Sequence, residues 1–261
     1  MTRPIKIADE ANREQWLKTR YDLVNASECG TIMGDNKYCL PRDLFIRKLE
    51  RREEEGIEER HIQRGKVWEP KLRDMWAQKT GIACKSRGWS MQNPDTPWLA
   101  ATCDAFAIDK GERIAPEFKA PARWNPDDPN EKKETVRKKK IREWRWQCLA
   151  QLIVMQYARI DLVVGIPKIK WFKPADEVPM ESLNYVAYMV AVGLPYYVFE
   201  DGIIKKCEPQ VPPKGEIVFE EFEIIPYTLR SFTPKQVGMF MHKTLRFSNC
   251  LSKGYLDLDL W

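Results

Sequence analysis

The sequence predicts an α/β domain. Three observations point there: an amphipathic helical segment ends at Gly81, strand-like stretches fill 82–119, and a long helical segment leads into the apolar "DLVVGI" at 161–166. Apolar spacing that switches between 3.6 and 2 residues marks helices packed on strands. With 261 residues, 43% of them hydrophobic, the chain can bury one large core. We read it as a single domain over 1–261: a core at about 60–175, a helical N-terminal part at 1–59 and a C-terminal elaboration at 176–261.

The elements follow in order. "NREQWLKTRYDLV" (12–24) reads as a helix; "ASECGTIMG" (26–34) follows, with Ser27 placed to cap it; "PRDLFIRKLERREEE" (41–55) opens on a proline suited to a first turn. In "RGKVWEPKLRDMWAQKTG" (64–81), Trp68, Leu72, Met75, Trp76 and Lys79 recur at helical spacing and Gly81 is the stop. Pro70 fits only a first turn, which places Glu69 near the helix start. "IACKSRGWSM" (82–91), "WLAATCDAFAI" (98–108) and "RIAPEFKA" (113–120), joined by turns at "NPDTP" and "DKGE", predict a three-stranded meander. After the loop "PARWNPDDPN" a helix is expected over about 131–157. Trp144, Cys148, Leu152 and Met155 form its apolar stripe, while Glu143, Gln147 and Gln151 recur every four residues on another face. "EIVFEEFEII" (216–225) reads as a strand; the rest of the tail has no clear placement.

Composition excludes several chemistries. No stretch approaches the roughly 20 apolar residues of a membrane helix, and "MTRPIKIADEANREQW" lacks the apolar centre of a signal peptide. A cytoplasmic location without membrane contact is the expectation. Seven scattered cysteines contain no CxxC pair, which argues against a disulfide framework or a thiolate-bound metal. With two histidines, His61 and His242, on unrelated segments, chemistry should rest on carboxylates.

Charge is concentrated. Residues 131–146 hold eight Lys or Arg against three Glu, which accounts for the whole net charge of +5. This run, with Trp144 and Trp146 interleaved, suits a polyanion backbone, whose counterions are released on binding; a solvated helix face is the plainer alternative.

Of four Asp/Glu-x-Lys triplets, only Glu117-Phe118-Lys119 lies in an apolar strand, and the preceding strand carries its own acid, Asp104. The tight "DKGE" turn would bring Asp104 beside Glu117, with Glu117 and Lys119 on one face and Phe118 on the other. Two carboxylates near apolar surface repel unless a cation sits between them. Mg²⁺, which takes oxygen ligands and shares them with substrate phosphate, fits that role, with Lys119 orienting the attacking water. An exposed, merely structural Glu117–Lys119 pair is the alternative.

"RGKVWE" (64–69), "ATCDAFAI" (101–108), "EFK" (117–119) and "WQCLAQLIV" (146–154), together with "WLKTRYDLVNASECGTIMGDNKY" (16–38), resemble the PD-(D/E)XK core of lambda-exonuclease-type, YqaJ-like viral recombination nucleases. The resemblance implies a restriction-endonuclease-like fold, a central mixed β-sheet flanked by helices. It implies Asp104, Glu117 and the Phe118 carbonyl as metal ligands, Lys119 as the catalytic lysine, Glu69 as an acid near a second ion, and Gln147 as a positioning glutamine. Arg20, Ser27 and Arg123 would hold a 5′-phosphate in a DNA-end-binding N-terminal part. Lys138, Lys139, Lys140, Arg142 and Arg145 would line the DNA path. Two Mg²⁺ ions, replaceable by Mn²⁺, would support 5′-to-3′ digestion of duplex DNA ends by a phage-type homotrimeric ring. The 3′ overhangs would pass to a single-strand annealing partner. Cys103 stands where the motif name has proline, and Leu149 where the usual Q-x-Q has its second glutamine. A site-specific or structure-specific endonuclease and a non-enzymatic nucleic-acid-binding protein are the competing readings.

Overall fold

The computed structural model describes residues 2–9, 11–52, 59–86, 88–120, 133–171, 196–200, 203–207 and 215–255. The N-terminal part is not all helical. It runs β1 (Ile5–Asp9), α1 (Arg13–Asp22), β2 (Val24–Asn25), a single 3₁₀ turn (Ala26–Glu28), α2 (Cys29–Ile32) and α3 (Pro41–Leu49). Asn25, not Ser27, precedes the 3₁₀ turn as its cap, and its N–H donates to Glu28 Oε2 at 2.9 Å. Ser27 lies inside the turn and is exposed.

The next helix, α4 (Glu59–Thr80), starts earlier than expected and carries Pro70 in its interior, so Glu69 sits mid-helix rather than at its start. Proline removes one N–H, a loss set against the complete burial of Trp68, Leu72 and Trp76 on one stripe. Gly81 ends the helix with φ of +72°, a left-handed conformation that glycine adopts without a Cβ penalty.

The expected three-stranded meander is instead five short strands divided between two sheets: β3 (Cys84–Ser86), β4 (Trp89–Gln92), β5 (Leu99–Ala101), β6 (Ala105–Asp109) and β7 (Glu112–Lys119). Strands β4 and β5 join β1 and β2 in a sheet of order β1-β4-β5-β2. The chain then crosses at Thr102–Asp104 into a mixed sheet of order β11-β8-β7-β6-β3, where β8 is Arg159–Trp171 and β11 is Gly215–Tyr227. β7 and β8 run parallel through α5 (Lys133–Met155), and β8 and β11 pair antiparallel. A two-stranded ribbon, β9 (Tyr196–Glu200) and β10 (Ile203–Cys207), stands apart in pairing.

Helices cover both faces of the mixed sheet. Leu72 and Trp76 of α4 pack with Ile114, Phe118 and Val163. Cys148, Leu149 and Leu152 of α5 pack with Ala115, Ile160, Leu162 and Val164, the alternate residues of the same strands. The period-2 alternation of β7 and β8 thus separates two apolar layers, as a sheet buried on both sides requires. Below α4, Asp161 is 2% exposed; it accepts from the Trp76 indole at 3.2 Å and pairs with Arg159 at 2.7 Å.

The tail supplies α6 (Pro234–Lys253), which sequence reading left unplaced. Thr233 and Gln236 cap it reciprocally: Thr233 Oγ1 accepts from the Gln236 N–H at 3.2 Å and Gln236 Oε1 from the Thr233 N–H at 2.9 Å. Its buried stripe is Phe240, Thr244, Phe247 and Cys250. Phe240 stacks on Trp146 of α5 with centroids 6.1 Å apart, and Phe247 meets Phe45 of α3 edge-on at 6.1 Å. Among the described residues no helix is long and apolar enough to cross a membrane, and six cysteines are free.

Candidate active site

The β6–β7 hairpin delivers the acids. Its turn residues Lys110 and Gly111 have φ of 50° and 86°, positive at both positions as a type I′ turn requires. The ladder pairs Asp109 with Glu112, Ile108 with Arg113 and Ala107 with Ile114. Continuing that register three positions would put Asp104 opposite Glu117, yet the ladder stops first. Pro116 accounts for this. In a two-residue hairpin alternate pairs exchange backbone hydrogen bonds, which makes Ala105 the partner of Pro116, and proline has no N–H to offer. Released there, the chain engages by a side chain: Asp104 Oδ2 accepts from the Phe118 N–H at 2.7 Å.

Glu117 is 2% exposed, so the exposed-pair alternative does not hold. Its Oε1 accepts from Lys119 Nζ at 2.7 Å and from Gln147 Nε2 at 2.5 Å, and its Oε2 from Gln151 Nε2 at 2.6 Å. Glu117 and Lys119 face α5 while Phe118 enters the α4 layer, as alternation predicts. The structure therefore gathers Asp104, Glu117, Lys119 and Gln147. Glu69, half-buried on α4, adds its negative charge to Asp104.

The electrostatics define what each group can do. Burial, then the charge of Glu117, pushes the Asp104 carboxyl well above its ordinary range; Lys119 and the Phe118 N–H pull the other way and lose. Burial disfavours the Lys119 ammonium, but Glu117 and Asp104 outweigh it and hold the proton above the ordinary lysine value. At neutral pH Lys119 is a cation, suited to holding charge rather than taking a proton. Burial first, and Glu117 second, drives the thiols of Cys103 and Cys148 well up, which removes both as nucleophiles.

A hard divalent cation fits this donor set. Asp104 and Glu117 offer carboxylate oxygens on adjoining segments, and the burial and the repulsion that raise Asp104 are what a cation would relieve. Among the described residues no three His, Cys, Asp or Glu side chains converge as a complete cage. Any ion here would need further oxygens beyond the carboxylates.

A family model for the YqaJ-like viral recombinase domain matches residues 15–158, a span running from α1 through the end of α5 and containing all of these side chains. The chain belongs to the YqaJ-like viral recombinase family. Among solved structures it is similar to an alkaline exonuclease, LHK-Exo from Laribacter hongkongensis, with a TM-score of 0.54 and 14% identity over 92% of this chain and 93% of that one. A second structure, LHK-Exo in complex with dAMP, gives a TM-score of 0.52 and 15% identity over the same shares. These likenesses show a shared fold, the restriction-endonuclease-like α/β core. No curated protein sequence matches the chain.

In this YqaJ-like chain, among the described residues, Arg20 and Ser27 make no hydrogen bond or ion pair with Asp104 or Glu117. Arg20, at the end of α1, rests over the Trp16 ring at 4.8 Å and stands 4.0 Å from Glu28 Oε1. Beneath it, Lys48 is 4% exposed and donates to Glu28 at 2.9 Å, to the Leu23 carbonyl at 2.8 Å and to the Arg20 carbonyl. Burial opposes ionisation of Glu28, but Lys48 and Arg20 outweigh it and lower its carboxyl. Sequence reading missed this buried pair, whose members are separated by 20 residues. Arg123 lies outside the described residues, as do the side chains of Lys138 and Lys139.

The rest of the basic run is placed on α5. Lys140 pairs with Glu143 at 3.1 Å and lies over the exposed Tyr38 ring at 4.7 Å; Arg142 pairs with Asp35 at 2.9 Å. They border a cleft of about 160 Å³ against the Gly34–Lys37 loop. Arg145 instead packs over Trp146 and Phe232, each at 5.1 Å. Gly30 lets α2 approach this helix: a Cβ there would stand 2.7 Å from Glu143 Cγ.

Proposed function

We propose that this chain is a Mg²⁺-dependent nuclease that digests one strand of duplex DNA from a 5′ end. The 3′ single strand it leaves would enter homologous recombination by single-strand annealing. The observation that carries this reading is the buried constellation of Asp104, Glu117 and Lys119, with Glu117 bound by Lys119 and Gln147. The recombinase family supports the setting. The fold relative LHK-Exo is described as an alkaline exonuclease and has been solved with dAMP, a deoxynucleotide.

Asp104, Glu117 and the Phe118 carbonyl would hold one ion, with Glu69 near a second. Within a strand the N–H and C=O of one residue point to the same side, so the Phe118 carbonyl opens toward Asp104. Bound Mg²⁺, or Mn²⁺ in its place, supplies Lewis acidity and an acidified water. Lys119 neutralises charge gathering on the phosphate and orients the attacking water; Gln147, donating to Glu117 Oε1, holds that side chain in place. Arg20, Ser27 and Arg123 would take the terminal 5′-phosphate, and the basic run on α5 the backbone. Duplex DNA ends, a homotrimeric ring and an annealing protein complete the proposed partners.

Linear duplex DNA labelled at either 5′ or 3′ ends tests the reading. Early release of the 5′ label in Mg²⁺, none with chelator, an intact closed circle, and background rates for Asp104→Ala and Glu117→Ala are expected. Discrete cuts in the circle would indicate an endonuclease, and salt-sensitive binding without hydrolysis a DNA-binding protein.

A further inference from the structure

We infer that Gln151 is a positioning residue: it sets the spacing between the two acid-bearing segments and thereby the affinity of the site for a divalent cation. The inference rests on the cation-dependent reading of Asp104 and Glu117, and it concerns a residue two positions beyond the Q-x-Q pattern of α5.

Gln151 is 0% exposed. Its Nε2 donates to Glu117 Oε2 at 2.6 Å and to the Thr102 carbonyl at 2.9 Å. Both partners are acceptors, so the NH₂ end of the amide must face them. The two partners belong to different segments. Thr102 lies where the chain leaves β5 for β6, two residues before Asp104, and Glu117 sits on β7. Pro116 withholds the backbone bond that would otherwise pin these segments together at Ala105. Two links take over: Asp104 to the Phe118 N–H, and one rigid amide from α5 that reaches both sides.

The amide is committed to this task at its own expense. Its Oε1 is buried without a hydrogen-bond partner among the described residues, a loss tolerated only where the rest of the environment fixes the group. Gln147, one turn earlier, holds the other oxygen of Glu117. Among the described residues the Gln147 amide hydrogen-bonds that carboxylate alone, whereas Gln151 also ties it to the segment bearing Asp104. Groups behind metal ligands typically change metal affinity or activity by about 10–100-fold when removed.

The test compares the full chain with Gln151→Leu and Gln151→Met, two apolar replacements of similar size. Mg²⁺ affinity is read by calorimetry without DNA, and kcat and KM on linear duplex separately. Correctly folded variants should bind Mg²⁺ at least tenfold more weakly and lose kcat while KM for DNA stays constant, a split that a purely structural role would not produce. Variants that melt as wild type, bind Mg²⁺ with wild-type affinity and cleave at the wild-type rate overturn the inference. Should both fail to fold, the ¹⁵N-labelled wild-type chain decides: the Gln151 side-chain amide resonances should shift on Mg²⁺ addition, and unmoved resonances reject the role. The underlying reading fails separately, if wild type binds no Mg²⁺ or if Asp104→Ala keeps its affinity.

Discussion

Asp104 is costly to the resting protein. Its carboxyl is raised by burial and by Glu117, so the folded chain binds that proton more tightly than the unfolded chain, whose aspartate titrates near 3.9. The associated stability is fully present below that value and is lost as pH rises through the folded pKa. At neutral pH without metal, Asp104→Asn should therefore melt higher than wild type by differential scanning calorimetry, while its cleavage falls to background. The same proton would compete with the proposed cation, so Mg²⁺ affinity of wild type should rise with pH across the range where Asp104 ionises, and that slope should vanish in Asp104→Asn. A melting temperature unchanged by the substitution would mean that the two carboxylates do not oppose each other.

At the scale of elements, the site depends on a strand that stops pairing. Pro116→Ala would return an N–H opposite Ala105, and a backbone hydrogen bond worth about 1 kcal/mol would then compete with the turn that presents Asp104. Cleavage should fall roughly fivefold with little loss of stability, measurable by comparing kcat with urea midpoints. Much of this hairpin was legible in advance. "DKGE" specified the turn, alternation placed Glu117 and Lys119 together, and the two acids were paired from spacing alone. What escaped was the break at Thr102–Asp104, because an apolar run reads as one strand whether or not it changes sheets. Pro70 is the opposite case: a proline reads as a helix start, whereas the buried Trp68, Leu72 and Trp76 carry the helix through it. The α6 helix was readable, with Thr233, Pro234 and Gln236 forming a recognised start and Gly254 a stop, but the surrounding strand pattern drew no attention to it. No local pattern could have revealed Glu28 and Lys48 as partners.

At the scale of the whole molecule, α5 serves both sheets. One side packs on β8 of the mixed sheet and another on β4, β5 and the 3₁₀ turn. Trp146, immediately before Gln147, donates its indole N–H to Asp35 at 2.6 Å and stacks on Phe240 from the far end of the chain. Phe240→Ala should cost about 3–5 kcal/mol in urea unfolding and should lower Mg²⁺ affinity as well, although Phe240 touches neither carboxylate. The last helix is thus a buttress. It leans on the indole that anchors the glutamine-bearing turn, so wear at the chain's trailing end is expected to be felt as slack at its reactive centre.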